Sequence, residues 1–207
     1  MRTFLMALLG VGLLPFAAGC DSGDPDVELD SSQYTITVDD DAEDTDTPAL
    51  WASGTTANGD GTALLLGANS SGTFGDDRFV VFVGLDTDLP DTGSYDLVDV
   101  TGRVNSGNIV PEGEVAGVFY DPATVDTRLA IYVSESGSLR VTDDEDDELR
   151  GSYTLRARRF ELNLGTGQWE ATSTRATVSG EFRAENDQGI LDDVPTLRTL
   201  PTSVASR

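Results

Sequence analysis

From Ala49 onward the chain is written in short apolar runs, alternating or continuous, each closed by Gly, Asp, Asn or Ser after roughly 8 to 12 residues. An amphipathic helix needs apolar positions three and four apart over about a dozen residues, and no such period runs for a useful length. The chain is therefore predicted to be all-β, with ten candidate strands at 50–53, 62–68, 78–85, 93–100, 115–120, 128–134, 138–142, 149–160, 168–173 and 175–184. That number exceeds a single flat sheet, so an antiparallel β-sandwich of about ten strands is expected, with a closed calycin-like β-barrel as the alternative.

Three runs, ALLLGA, FVVFVGL and VAGVFY, are apolar at successive positions and so on both faces. Such strands need cover on both sides. In a sandwich the second face would be covered by the C-terminal residues Ile190, Leu191, Val194, Leu197 and Leu200; in a barrel it would line a cavity for an apolar ligand, with Phe79, Val81, Phe82, Val118 and Phe119 as the candidate ligand-binding residues. A weak echo, GSYDL from Gly93, GSYTL from Gly151 and GEFRA from Gly180, places an aromatic two residues after a glycine each time. The physical reading is core packing, with the small glycine leaving room for a neighbouring ring.

Composition limits the chemistry. The net charge is −24, and all thirteen basic residues are Arg, with no Lys and no His. A field this negative repels nucleic acid and anionic lipid headgroups, so no nucleic-acid partner is expected. Self-repulsion on this scale is tolerable where salt screens it, the Debye length falling to about 3 Å near 1 M, which points to a halophilic source. Without His or Lys, Ser-His-Asp and Cys-His nucleophiles, Schiff-base chemistry and His-ligated zinc are excluded. Carboxylate chemistry survives, as in a glycan hydrolase with two acids across a cleft. Acids are too abundant here for a pair to be informative, and a non-enzymatic protein without cofactor or metal is expected.

The first residues, MRTFLMALLGVGLLPFAAGC, carry one positive charge, an apolar run from Phe4 to Phe16 and small residues before Cys20. The run is shorter than the ~20 residues a membrane-spanning helix needs, and reads as a secretory signal over residues 1–19. Ala17-Ala18-Gly19-Cys20 resembles the lipobox of bacterial lipoproteins, with Ala17 where Leu is usual, which leaves ordinary signal-peptidase cleavage after Gly19 as the alternative. Cys20 is the single cysteine, which excludes an intramolecular disulfide and makes it the candidate lipidation site and membrane anchor. Residues 21–48 hold eleven Asp or Glu and no basic residue, so 20–48 reads as an acidic tether, in which 34–38 alternates enough to add an edge strand. The β domain is placed at 49–186 and a C-terminal tail at 187–207.

The acidic run DDEDDE, Asp143 to Glu148, is the one place that suggests a cation. Consecutive carboxylates on an extended chain point to opposite sides, and the D-x-[DN]-x-[DN]-G loop of calcium sites is absent. Leu139, Val141, Leu149, Tyr153 and Leu155 share one parity around it, so the run is expected to be the turn of an antiparallel hairpin. Two registers remain open: Val141 opposite Leu149, which sets Arg140 against Arg150, or Val141 opposite Gly151, which removes that like-charge contact.

These features together, the lipobox, the acidic spacer, LWASG, GSYDL, the stretch FYDPATVDTRLAIYVSESGSLRVTDDEDDELRGSYTLRARRFEL and a closing ATVSGEFRA, resemble a group of small bacterial lipoproteins with a β-rich domain of no assigned function. The likeness runs from about Ala49 to Ala184. It implies a β-sandwich-like fold and a place in the cell envelope, and it supplies no catalytic residue; the anchored domain is expected to face the periplasm or the cell exterior, with the outer membrane favoured. The expectation for function is a lipid-anchored extracytoplasmic protein with a binding or structural role.

Overall fold

Period-two alternation decides which side chains turn inward. On β1 (Gln33–Val38) it buries Tyr34 and Ile36, and on β9 (Glu148–Asn163) it buries Leu149, Tyr153, Leu155 and Ala157. The computed structural model describes residues 33–45, 48–56, 59–67, 78–106, 109–121, 130–145 and 147–190. Among them β1, β2 (Asp41–Thr45), β3 (Ala49–Thr56), β4 (Gly59–Leu66), β5 (Phe79–Leu85), β6 (Gly93–Asp96), β7 (Glu114–Tyr120), β8 (Ala130–Glu145), β9 and β10 (Gln168–Asn186) join in one hydrogen-bonded sheet. The fold is all-β.

The sheet doubles back on itself as a sandwich. Antiparallel ladders run through β3, β4, β5, β7, β8, β9 and β10 in turn, and β10 then meets β3 in parallel, with Glu185 opposite Leu50 and Asn186 opposite Trp51. That short contact is the seam of the fold. Leu64, Leu66, Val80, Phe82 and Phe119 from one layer meet Tyr34, Leu155, Val178 and Phe182 from the other. The Phe82 and Tyr153 rings touch edge to face across the interior, their centroids 5.3 Å apart. At Gly117 on β7 an added methyl group would stand 3.0 Å from Leu155 Cδ1, so the layers approach closely there.

Two pairs of candidate strands are each one strand interrupted by a bulge. The 128–134 and 138–142 segments merge into β8, whose register slips between Ser134 and Ser136; the 168–173 and 175–184 segments merge into β10, which slips between Ala171 and Arg175. In β8 the one extra residue reverses the parity of everything after it, and in β10 residues 172–174 stand opposite Arg159 alone and interrupt the ladder without reversing it, so each continuous strand reads as two. Ser134, fully buried beside the first bulge, donates its hydroxyl to the Val98 carbonyl at 2.7 Å and accepts the Gly117 amide at 3.3 Å.

The sheet also begins earlier than the tether reading allows. Residues 33–45 form β1 and β2, and β1 pairs antiparallel with β10 while Tyr34 and Ile36 enter the core. The acids flanking β1 make its turn: Asp39 and Asp40 have φ of 49° and 75°, a left-handed conformation that Asp tolerates better than most residues. The Asp39 carboxylate accepts the Thr177 amide at 2.8 Å, which ties the turn to β10.

Each doubly apolar run receives its second cover from outside the sheet. Ala116 and Val118 on β7, with Ile131, Val133, Phe160 and Leu162, lie beneath Val100, Val104, Ile109 and Val110 of the segment that links β6 to β7. Ala63 and Leu65 on β4, with Leu50, Ala52, Phe79 and Val81, form a separate cluster that includes Ile190. The expected cover by the C-terminal residues is thus seen at Ile190, and Leu191, Val194, Leu197 and Leu200 lie outside the described residues.

Candidate functional site

At one end of the sandwich, β3 and β4 close as a hairpin and the chain leaves β5 through the loop 86–92. Between them lies a cleft of about 260 Å³. Gly54 and Gly61, paired across β3 and β4, flank it, and Ser53, Asp60, Thr62 and Thr87 supply its polar atoms while Leu89 and Pro90 give an apolar wall.

The loop is held by hydrogen bonds that consume most of those polar groups. The Asp86 amide donates to the Asp60 carbonyl at 2.7 Å, and the Asp60 amide donates to an Asp86 carboxylate oxygen at 3.0 Å. The Thr62 hydroxyl donates to the Leu89 carbonyl at 2.7 Å, and Thr87 Oγ1 accepts the Leu89 amide at 3.4 Å. Tyr95 on β6 places its hydroxyl 2.6 Å from the Asp91 carbonyl and 3.1 Å from that of Asp88. Partial burial, with the negative charges of Asp91, Asp88 and Asp144 around it, holds that phenol above its ordinary value. The Leu89-Pro90 peptide bond is cis.

Gly59 to Gly61 belong to β4 and Asp86 to Thr92 form the braced loop, and only the fold brings Asp60 and Asp86 together. The cleft is smaller than the roughly 300–1,000 Å³ of ordinary ligand sites, and among the described residues Asp60 is its one lining carboxylate, where glycoside hydrolysis uses two. Its chemistry is that of a small hydroxyl-lined recess.

The five residues proposed for an apolar ligand do not share a space. Phe82 and Phe119 fill the interior between the layers; Phe79 and Val81 lie on the outer face of β5; Val118 belongs to the cluster under the 97–110 segment. Alternation forces this division, since Val81 and Phe82, like Val118 and Phe119, are neighbours on a strand and point to opposite sides. Cys20 lies outside the described residues.

At the acidic hairpin the register is the second of the two foreseen: Val141 faces Gly151 and Arg140 faces Ser152. The strands reach further into the acidic run than expected, β8 ending at Glu145 and β9 starting at Glu148, with Thr142 bulged out so that Asp143 comes opposite Arg150. Among the described residues no cluster of acids converges as a metal site would require. Instead the acids neutralise arginines.

Arg150 and Arg183 face each other on β9 and β10, and Glu148 pairs with both, accepting a hydrogen bond from Arg150 Nε and lying 2.7 Å from Arg183 Nε. Arg158 and Arg175 form a second facing pair, bridged by Glu135 at 2.9 and 2.7 Å. Glu135 is the residue that the β8 bulge leaves unpaired, so the bulge aims its carboxylate at both guanidinium groups. No signal in the one-dimensional sequence identifies these triads, because each draws on two or three strands.

Comparison with protein-family models, curated proteins and solved structures finds no match to this chain.

Proposed function

We propose that this chain is an exported lipoprotein, held at a membrane of the cell envelope by lipid on Cys20, and that its β domain acts by binding or as a structural component, without turnover. The observation that carries the reading is the N-terminal segment: a charged start, a 13-residue apolar run over 4–16, small residues, and then the single cysteine. The filled interior supports a protein that works through its surface, since Phe82, Phe119, Tyr153 and Phe182 occupy the space a carrier of apolar ligands would keep open. A hydrolase reading has less support, as the described cleft is lined by one acid. The acidic surface fits an exported protein of a saline environment.

The test is Cys20→Ser, expressed with its leader in a bacterial host. The parent is expected to fractionate with membranes and to incorporate labelled fatty acid, and the variant to do neither. A variant that still sediments with membranes removes the anchor.

A further inference from the structure

Six of the nine arginines among the described residues stand on one surface, the outer face of β8, β9 and β10. Alternation puts them there, since the neighbours of each along the strand, such as Leu139 and Val141 around Arg140 or Leu155 and Ala157 around Arg156, are buried in the interior. Four of the six are the facing pairs that Glu148 and Glu135 bridge, towards the two ends of the face. Arg140 and Arg156 lie between those ends and are exposed, and among the described residues neither has a carboxylate partner, in a chain with 37 acidic residues to 13 basic ones.

Register sets these two arginines at opposite corners of a small patch. Arg140 is opposite Ser152, Ser138 opposite Thr154 and Ser136 opposite Arg156. Four residues along the strand and one strand across separate the arginines, about 14 Å from Cα to Cα. The four side chains between them are hydroxyls, and among the described residues none of the four has a hydrogen-bond partner. The polar surface continues onto β10 with Thr177 and Ser179, opposite Arg156 and Thr154, so an extended ligand can run across the strands.

No apolar side chain stands in this patch, whereas protein interfaces are centred on buried aromatic or aliphatic anchors. It also has no aromatic ring on which a nucleic-acid base could stack. A guanidinium takes a carboxylate through two parallel hydrogen bonds, and Ser and Thr exchange hydrogen bonds with other hydroxyls. A ligand that satisfies all six side chains therefore carries separated acid groups on an extended, hydroxyl-rich frame.

We infer that the patch binds an acidic polysaccharide, with carboxylates of separate sugar units on Arg140 and Arg156 and sugar hydroxyls on Ser136, Ser138, Ser152 and Thr154. The inference deepens the binding role proposed above and does not depend on the lipid. The net charge of −24 opposes an anionic ligand at long range only, because near 1 M salt a charge acts over about 3 Å. Under that screening the groups in contact decide.

Titration calorimetry of the Cys20→Ser chain with alginate and polygalacturonate oligomers, in molar sodium chloride, tests the patch. At least one of the two is expected to bind, and its carboxyl methyl ester is not. Arg140→Ser and Arg156→Ser should each weaken binding about tenfold, the loss expected for a hydrogen bond to a charged group, with the melting temperature unchanged because both side chains are exposed. Arg103→Ser, which removes the same charge from the 97–110 segment, should leave binding as it is. Failure of both glycans to bind overturns the inference, and so does equal binding of the ester or an equal loss on Arg103→Ser. A parent that sediments as a dimer, and as a monomer once Arg140→Ser and Arg156→Ser are combined, assigns the face to a second copy of the chain and overturns it as well. The anchor is tested by membrane fractionation alone, so either reading can fail without the other.

Discussion

Gly151 on β9 lies opposite Phe182 on β10, and a methyl group added at Gly151 would stand 2.8 Å from the ring's Cζ and run into the Arg140 carbonyl. The relation is reciprocal. Gly180 on β10 lies opposite Tyr153 on β9, and a methyl group there would meet the Thr35 carbonyl and stand 3.0 Å from the Tyr153 hydroxyl. The two glycine-x-aromatic motifs thus interlock, each glycine making room for the aromatic of the other strand.

Gly151→Ala and Gly180→Ala are therefore each expected to lose about 1–3 kcal/mol of stability, the range for overpacking a filled core, despite the higher strand propensity of alanine. Urea denaturation followed by tryptophan fluorescence measures this. A neutral or stabilising Gly151→Ala would show that the two strands are not so closely apposed.

Glu148 sits between Arg150 and Arg183, and its acidity reflects that position. Partial burial works against the charged form, but hydrogen bonds and charge from Arg183 and Arg150 prevail and hold the carboxyl below its ordinary value of 4.5. A folded-state value below the unfolded one contributes stability that is complete above pH 4.5 and is lost as pH falls through the folded-state value. With Arg150 still 43% exposed, Glu148→Gln should cost about 1 kcal/mol at neutral pH, the upper end for such pairs. The gap between variant and parent should close in acid. A gap of equal size at both ends of the pH range would mean that charge is not its source.

Asn105 stands in for a strand on the edge of β10. Its side-chain amide donates to the Trp169 carbonyl at 2.8 Å and its carbonyl accepts the Trp169 amide at 2.7 Å, pinning the 97–110 segment over the cluster that contains Trp169. Asn105→Ala removes both bonds and is expected to cost about 1–3 kcal/mol. Tryptophan emission should move to longer wavelength as the cover loosens. Unchanged emission and stability would leave Asn105 without a role in holding the segment.

The net charge of −24 should make folding depend on salt. Screening shortens the Debye length to about 3 Å near 1 M, so thermal stability is expected to rise steadily from dilute buffer to molar sodium chloride. A melting temperature independent of salt would remove the inference of a saline environment.

Much of this was legible in one dimension. Alternation at Leu139, Val141, Tyr153 and Leu155 placed the acidic run in a hairpin, and the like-charge conflict between Arg140 and Arg150 marked the better of its two registers. Tyr34 and Ile36 carried the same signal inside an acidic segment, so 34–38 was legible as an added edge strand, while composition hid β2 and placed the whole segment in a tether. The bulges at Glu135 and at 172–174 were hidden because an inserted residue resembles the end of a strand.

The sequence by itself determined the all-β class, the inward parity of the acidic hairpin and the loss of His- and Lys-based chemistry, because these depend on residue type and spacing along the chain. Only the tertiary structure decided that Phe82 and Phe119 fill the interior while Phe79, Val81 and Val118 face outward under other cover. Only it set Glu135 and Glu148 between facing arginines and brought Asp60 to Asp86. The reason is physical: which layer lies over a face, and which carboxylate reaches which guanidinium, follows from strand order and bulge position, which contacts between distant residues select.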